Sequence, residues 1–454
     1  MALKIKKTML VIILITVNLF FIASCDNYLL KSENEFQQLT FYYCAEKYDP
    51  LFDIIEKYNK YCTSKKDESY KIKTIEFESE DDMYLKMSTE LMVGKGPDII
   101  SLSQRLPFEK LIDNGTFADI NDLIVKDESE DKLNFSDYNS VIMESGIYKG
   151  GRYIIPLFYC PDIVFTSDEL LKKYKIPDNF DYTYDSIGTD LTEYFREFPD
   201  VPFCGAGYGK TFFYQFIDSY VDQFNGQNYF TSVEFENNLD NATKIALNNN
   251  EDYDNYVFLT PKQTFAGGSL LFITNMIIQQ HLNGIDFKIS PNFRRTNNTI
   301  SAYVQCALAI NNNSAYKEKA LEFIKYCLSE NIQKYWCGIS SVTGNSSFAG
   351  SNTIALPVNN NALNDTIDIA YEPEKYIESY DESISNIVNK TIEDYVEIIN
   401  SINYCSIYNY DDILNTYYNS IVINEIAENY LNGKISKNKF INQLSSATEI
   451  YLNE

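Results

Sequence analysis

Over residues 38–102 the chain alternates between two kinds of apolar spacing, and no other feature of the sequence narrows the fold as much. "QLTFYYC" (38–44) and "YKIKTIEFE" (70–78) are short and rich in β-branched and aromatic residues, the composition of strands. Between them, "DPLFDIIEKYNKY" places Leu51, Ile54, Ile55 and Tyr58 at i, i+3, i+4 and i+7, one face of a helix. "DDMYLKMSTELMV" puts Tyr84, Met87 and Leu91 on a common helical face, with Asp81 and Asp82 at its start, where the helix dipole favours negative charge. Gly94, Gly96 and Pro97 then stop the helix, and Asp98 leads into Ile99 and Ile100, a buried strand. Strand, helix, strand, helix, strand in that order predicts a mostly parallel sheet with helices on both faces, an α/β fold. Ligands of such sheets sit beyond the carboxyl ends of the strands. "CAEKY" (44–48), "ESEDD" (78–82) and "SLSQR" (101–105) are therefore expected along the binding edge.

At 454 residues the chain is too long for one simple core, so two lobes are expected. Its first 24 residues carry Lys4, Lys6 and Lys7, then an apolar run from Met9 to Ala23, the layout of a secretory leader. Ile22-Ala23-Ser24-Cys25 resembles the lipobox of bacterial lipoproteins, which implies that Cys25 is acylated and becomes the first residue. Residues 1–24 are then the lipoprotein signal peptide, and 25–37 the lipidated cysteine and a polar tether. The expected location is the outer face of the cell membrane, held by the lipid anchor. Removing the three leader lysines takes the net charge from −26 to −29, a surface that repels nucleic acid. Eight further cysteines form no CxxC pair and one histidine, His281, stands alone, so no metal site is expected. Those cysteines are read as small core residues.

"YLKMSTELMVGKGPDII" closely resembles a segment of the bacterial extracellular solute-binding proteins, the sugar-type receptors of ABC importers. The likeness continues in order through "NGTFADINDLI", "YKGGRYIIPLFYCPDIVFTSDELLKKYKIP", "AINNNSAYKEKALEFIKYCLSENIQKYW", "LPVNNNAL" and "EIYLNE", covering most of 38–454. The resemblance implies the two-lobed periplasmic-binding-protein fold, type II-like, with a ligand cleft between lobes joined by crossing strands. "PLFYCPDIV" (156–164) and "SAYVQCALA" (301–309) are placed as the first two crossings and "IALPVNN" (354–360) as the third. Lobe 1 is then 38–158 plus 305–352, and lobe 2 is 159–304 plus 353–454, closed by helices near 411–432 and 436–453. It also implies capture of a small solute, an oligosaccharide, by hinge closure and delivery to ABC permease subunits by a monomer. One departure stands out: relatives carry a tryptophan just after the strand matching "LLFITNM", where this chain has Ile277, so stacking falls to Tyr and Phe.

Closure requires the ligand to touch both lobes. From strand ends, the ligand-binding candidates are Tyr43, Glu46, Glu80, Ser103 and Arg105 in lobe 1, and Tyr159, Tyr208, Lys210 and Tyr303 from the crossings and lobe 2. Trp336 reads as a core anchor. "CGAGYGKTF" lacks the first glycine of a phosphate loop and reads as a strand-to-loop turn; the pairs Glu78/Glu80 and Asp81/Asp82 arise freely among 64 acidic residues. No catalytic constellation or cofactor motif emerges, so no enzyme is expected. A surface glycan-binding or sensory lipoprotein with the same fold and no transport role stays open beside the receptor reading.

Overall fold

The structure is a computed structural model. It describes residues 38–453 apart from 45–49, 103–105, 178–179, 204–207, 223–225, 248–269, 283, 285, 297, 338–354, 376–381, 408–415 and 417. The leader, Cys25, Glu46, Ser103, Arg105, Cys204 and the Tyr208 side chain lie outside the described residues.

The chain opens with β1 (Leu39–Cys44), α1 (Pro50–Lys65), β2 (Ile72–Phe77), α2 (Glu80–Met92) and β3 (Ile99–Ser101), the order expected from the sequence. β1 pairs in parallel with β2, from Leu39 opposite Ile72 to Cys44 opposite Phe77, and with β3 at Phe41 opposite Ile99. Successive β1 residues point to opposite faces. Leu39 and Phe41 pack in one buried cluster with Leu51, Ile54, Ile55 and Tyr58 of α1, while Tyr42 and Cys44 pack in another with Met83, Met87 and Leu91 of α2. The buried stripe of α2 thus runs i, i+4, i+8, with Tyr84 on its flank. β2 is an edge strand in which Ile72 alone is fully buried, which explains its weak alternation.

The stop after α2 has a defined geometry. Gly94, at φ 71°, donates its N–H to the Leu91 carbonyl at 3.1 Å, and Lys95 N–H reaches the Glu90 carbonyl at 2.8 Å, a Schellman end. Asp98 then ties the starts of β1 and β3 to the turn at Ser314. Its Oδ2 accepts from Thr40 N–H at 2.8 Å and Thr40 Oγ1 at 2.7 Å, and its Oδ1 accepts from Ser314 Oγ at 2.6 Å. A partly buried carboxylate with three donors is the satisfied case.

Four further strands complete the sheet: β4 (Ile154–Pro161), β7 (Ser301–Ile310), β8 (Leu356–Pro357) and β9 (Tyr404–Ser406); β5 (Ile163–Thr166) and β6 (Lys288–Pro291) form a separate antiparallel ribbon. The order is β8-β4-β7-β3-β1-β2, with β9 also on β7. β7 runs antiparallel to both β3 and β4. The sheet is therefore mixed, not mostly parallel: β3 and β4 point the same way, and the strand between them returns from the far end. The segments placed as crossings from the sequence are β4, β7 and β8. The β4–β7 register slips on either side of Cys306, and Gln305 is left exposed in mid-strand, a bulge.

A second buried cluster lies apart from the sheet and is dominated by aromatic rings. It draws on residues 164–246, Phe293, and 418–451. Phe216 stacks on Phe235 at 5.1 Å, and Tyr430 on Phe440 at 4.3 Å. Gly209 lets α3 (Tyr208–Asp218) approach helix Val233–Leu247, since a Cβ there would come within 2.9 Å of the Ala246 carbonyl. The Gly-Lys-Thr of 209–211 is thus the first turn of a packed helix, where the sequence suggested a strand-to-loop turn.

One buried charge bears on stability. Lys325, on helix Lys317–Leu328, directs its ammonium into the loop after helix Ile120–Lys126. It donates to Asp127 Oδ2 at 3.2 Å, Ser129 Oγ at 2.8 Å, Asp131 Oδ1 at 2.8 Å and Glu322 Oε1 at 2.6 Å.

Candidate functional site

Beyond Pro161 the paired strands β4 and β7 leave the sheet, and Asp162 is the knot at that exit. Its N–H donates to the Ser301 carbonyl at 2.9 Å, and its own carbonyl accepts from Asn292 N–H at 2.9 Å. Its carboxylate accepts from Asn292 Nδ2 at 2.8 Å and Ser301 Oγ at 3.2 Å. A cleft of about 640 Å³ opens beside this knot. Its lining comes from distant parts of the chain: Glu109 on the short helix Phe108–Asp113, the carboxyl end of α3, the stretch 293–301, and β9 with Ile407. That volume suits a ligand of a few sugar rings.

The aromatic cluster holds two walls in place. Tyr184 meets Phe212 and Phe216 edge-on at 5.6 and 5.1 Å, and Phe293 packs against Phe203 and Phe212 at 5.2 and 5.6 Å. Tyr404 is 47 % exposed, and the half-buried Tyr229 carries the Arg295 guanidinium 5.1 Å over its ring.

Charge is divided unevenly along the cleft. Among the described lining residues the cations are Arg294 and Arg295, against Glu109, Asp162, Asp218 and Asp222. Arg295 is engaged already: Nε and Nη2 donate to the Glu234 carboxylate at 2.8 and 2.9 Å, and its plane lies 4.5 Å over the Tyr220 ring. Burial lowers the Arg294 guanidinium against the attraction of Asp181 and Asp162, and its enclosed Nε meets no hydrogen-bond partner. Asp218 ends α3, where burial pushes its carboxyl up to about 7; the amide of Asn419, donating to Oδ2 at 3.3 Å, opposes that only in part. Its Oδ1 is shut off from solvent and accepts no hydrogen bond.

Residues 54–334 match the sequence profile of the bacterial extracellular solute-binding proteins. The chain belongs to that family. No curated protein matches this solute-binding protein. Solved structures do. An ABC substrate-binding protein of Listeria monocytogenes, in complex with cycloalternan, is 14 % identical with a TM-score of 0.58, over 92 % of this chain and 99 % of the other. A putative oligosaccharide-binding protein of Synechococcus is 13 % identical at 0.59, over 91 and 99 %. UgpB of Mycobacterium tuberculosis, in complex with glycerophosphocholine, is 13 % identical at 0.58, over 92 and 98 %. These likenesses establish the two-lobed periplasmic-binding-protein fold. Family and neighbours alike are binding proteins. Among the described residues no group of three or more His, Cys, Asp and Glu is placed to hold a metal, and no helix is long and apolar enough to cross a membrane.

The candidates chosen from strand ends are scattered in the solute-binding protein, and none of those described lines this cleft. Tyr43 donates its hydroxyl to Glu76 Oε2 at 2.8 Å and packs its ring on Phe52 at 4.8 Å. Glu80 is the first residue of α2. Tyr159, opposite Val304, and Tyr303, opposite Cys160, are both buried in the β4–β7 ladder, within the sheet's core. Lys210, at the start of α3, forms an ion pair with Glu428 at 2.7 Å. His281 holds Asp286 across the turn after its helix at 2.5 Å. The lining residues Asp162, Asp218, Arg294 and Tyr404 were not among those candidates. One signal was present: the chain has five arginines (Arg105, Arg152, Arg196, Arg294 and Arg295), and two stand together at the cleft.

Proposed function

We propose that this protein is a lipid-anchored extracellular receptor that captures an oligosaccharide by hinge closure, passes it unaltered to ABC permease subunits, and performs no chemistry on it. The observation that carries the reading is the cleft at Asp162, where crossing strands, aromatic cluster and β9 meet. A ligand seated there touches the sheet side through Glu109 and Tyr404 and the aromatic side through Tyr184, Asp218 and Phe293. Contacts of that kind differ between open and closed forms, and only such a difference shifts the equilibrium. Tyr404 supplies a ring face for sugar C–H surfaces; Asp162, Asp218 and Arg294 supply hydrogen-bonding groups for hydroxyls. The lobes are those expected from the sequence, 38–158 plus 305–352 and 159–304 plus 353–454. A separate aromatic cluster drawn from 164–246 and 418–451 supports that division for those stretches, whereas 273–289 and 355–402 pack in the buried cluster of the sheet. Anchoring rests on the basic and apolar leader and on Cys25 in its lipobox-like setting.

The test is thermal unfolding of residues 26–454 with oligosaccharides, monosaccharides, amino acids and polyamines. A ligand at a hundred times its Kd contributes about 2.7 kcal/mol and raises the midpoint by several degrees. A rise confined to oligosaccharides is the expected outcome. A rise with another solute class alone would leave the receptor fold and overturn the carbohydrate assignment.

A further inference from the structure

The cleft lies at one end of the sheet, beyond Pro161 and Ser301, and the other end carries a basic face. β1 and β3 begin there, β7 ends there, and the loops that close it are tied to one another. The Lys95 carbonyl accepts from Asn311 Nδ2 at 2.9 Å, Lys317 donates to the Asn312 carbonyl at 2.6 Å, and Lys319 donates to the Ser69 carbonyl at 2.8 Å. Lys65 ends α1, Lys66 follows it, and Lys71 pairs with Glu68 at 2.5 Å. These six lysines stand against Asp67, Glu68 and Glu318, in a chain whose net charge is −26. Lys65, Lys66 and Lys95 are exposed. At the margin of the face, where α2 ends, Met92 is 79 % exposed and Val93 66 %. The chain also enters its fold here. Leu39 N–H donates to the Lys71 carbonyl at 3.1 Å, and β1 runs away from the face. Residues 26–37, between Cys25 and Gln38, span at most about 40 Å.

We infer that this face rests on the anionic headgroups of the membrane that holds the lipid anchor, with the cleft turned outward. The ten-residue β7 sets the two ends of the sheet about 30 Å apart. The inference rests on the anchored-receptor reading above and adds an orientation to it. The anchor keeps the face within one tether length of the bilayer. Lysines that come within a Debye length of about 8 Å are then drawn to the headgroups, each tightening the contact about fivefold. Met92 and Val93 add an apolar edge to that contact. The rest of the surface is acidic and is repelled, so one orientation is favoured. Held this way, the cleft collects solute from the outer side, and delivery requires the receptor to lift off and turn.

The test is flotation of residues 26–454, which carry no acyl chain, with two kinds of vesicle: phosphatidylcholine alone, and phosphatidylcholine mixed equally with phosphatidylglycerol. Binding to the mixed vesicles should be at least about tenfold stronger and should fade with added salt. Lys65→Glu, Lys66→Glu and Lys95→Glu together should abolish that preference. Lys172→Glu with Lys173→Glu, exposed on helix Asp168–Lys173 of the aromatic side, should leave it in place. Met92→Ser with Val93→Ser should weaken binding several-fold and keep the salt dependence. Equal binding to both vesicles, or a preference that survives the triple reversal, would overturn the inference. Mass spectrometry of Cys25, in the protein made with its leader, tests the anchor separately. An acylated Cys25 without vesicle preference would sink the orientation and leave the anchored receptor; an unacylated Cys25 would sink both.

Discussion

At Asp218 the folded chain holds a proton that the unfolded chain gives up. Its carboxyl has an ordinary pKa of 3.8 and is pushed by burial up to about 7 in the folded protein. The stability that goes with the neutral form is complete below about pH 4 and is lost as pH rises towards 7. Asp218→Asn removes the titration. Urea denaturation from pH 4 to 8 should show the wild type losing about 2 kcal/mol relative to the variant across that window. That figure is below what the full shift would give, because part of the side chain reaches the cleft. Parallel profiles would mean that Asp218 is already ionised in the folded protein at pH 5. Lys325 makes the opposite case. Its side chain is 5 % exposed, and its ammonium balances Asp127, Asp131 and Glu322. The carboxylates raise the lysine against its burial; the Asp131 carboxyl is lowered chiefly by the ammonium, and that of Asp127 by Ser129 first and Lys325 after it, so the contribution holds from about pH 4 to 10 and fades on either side. Lys325→Met should cost roughly 2–4 kcal/mol, since it leaves like charges together around a buried gap. A urea midpoint unchanged at pH 7 would contradict this.

The break after α2 shows how much an element owes to single positions. Gly94 at φ 71° and Gly96 at φ 96° are left-handed, where a Cβ is strained. Gly94→Ala should lose about 1 kcal/mol in thermal or urea unfolding. Gly96→Ala should lose more, because its Cβ would also meet Leu91 Cδ2 at 3.3 Å. A smaller loss at Gly96 than at Gly94 would mean that the turn relaxes. Elements of this kind were legible in the sequence, since spacing and breakers act locally: β1 to β3 and the Leu51–Tyr58 face are where the pattern puts them. The antiparallel course of β7 was not, because a strand's direction depends on where the chain returns from. The cleft was less legible still. Asp162, Asp218, Arg294 and Tyr404 are brought together by crossings from far apart in sequence, and no local pattern marks them. Strand ends did mark an edge of the sheet, but Tyr159 and Tyr303 show that a residue near a strand's end can still be core when both strands stay paired and covered there.

For the whole molecule, the single tryptophan is well placed to report on closure. Trp336 packs on Phe158 at 4.0 Å, and Phe158 faces Cys306, where the β4–β7 register slips. A solute that raises the unfolding midpoint should also change Trp336 emission; binding with unchanged emission would mean that the strands do not bend at the bulge. The order in which the strands are made has a different consequence. β3 and β4 are complete by residue 161, but β7, which lies between them, ends at residue 310. At about 5–20 residues per second the ribosome needs roughly ten seconds or more to supply it. Through that interval two apolar edges wait without a neighbour, exposed to wrong pairing with other chains. The same delay keeps the chain from closing its sheet early, and a protein whose family works outside the cell benefits from crossing the membrane before it folds.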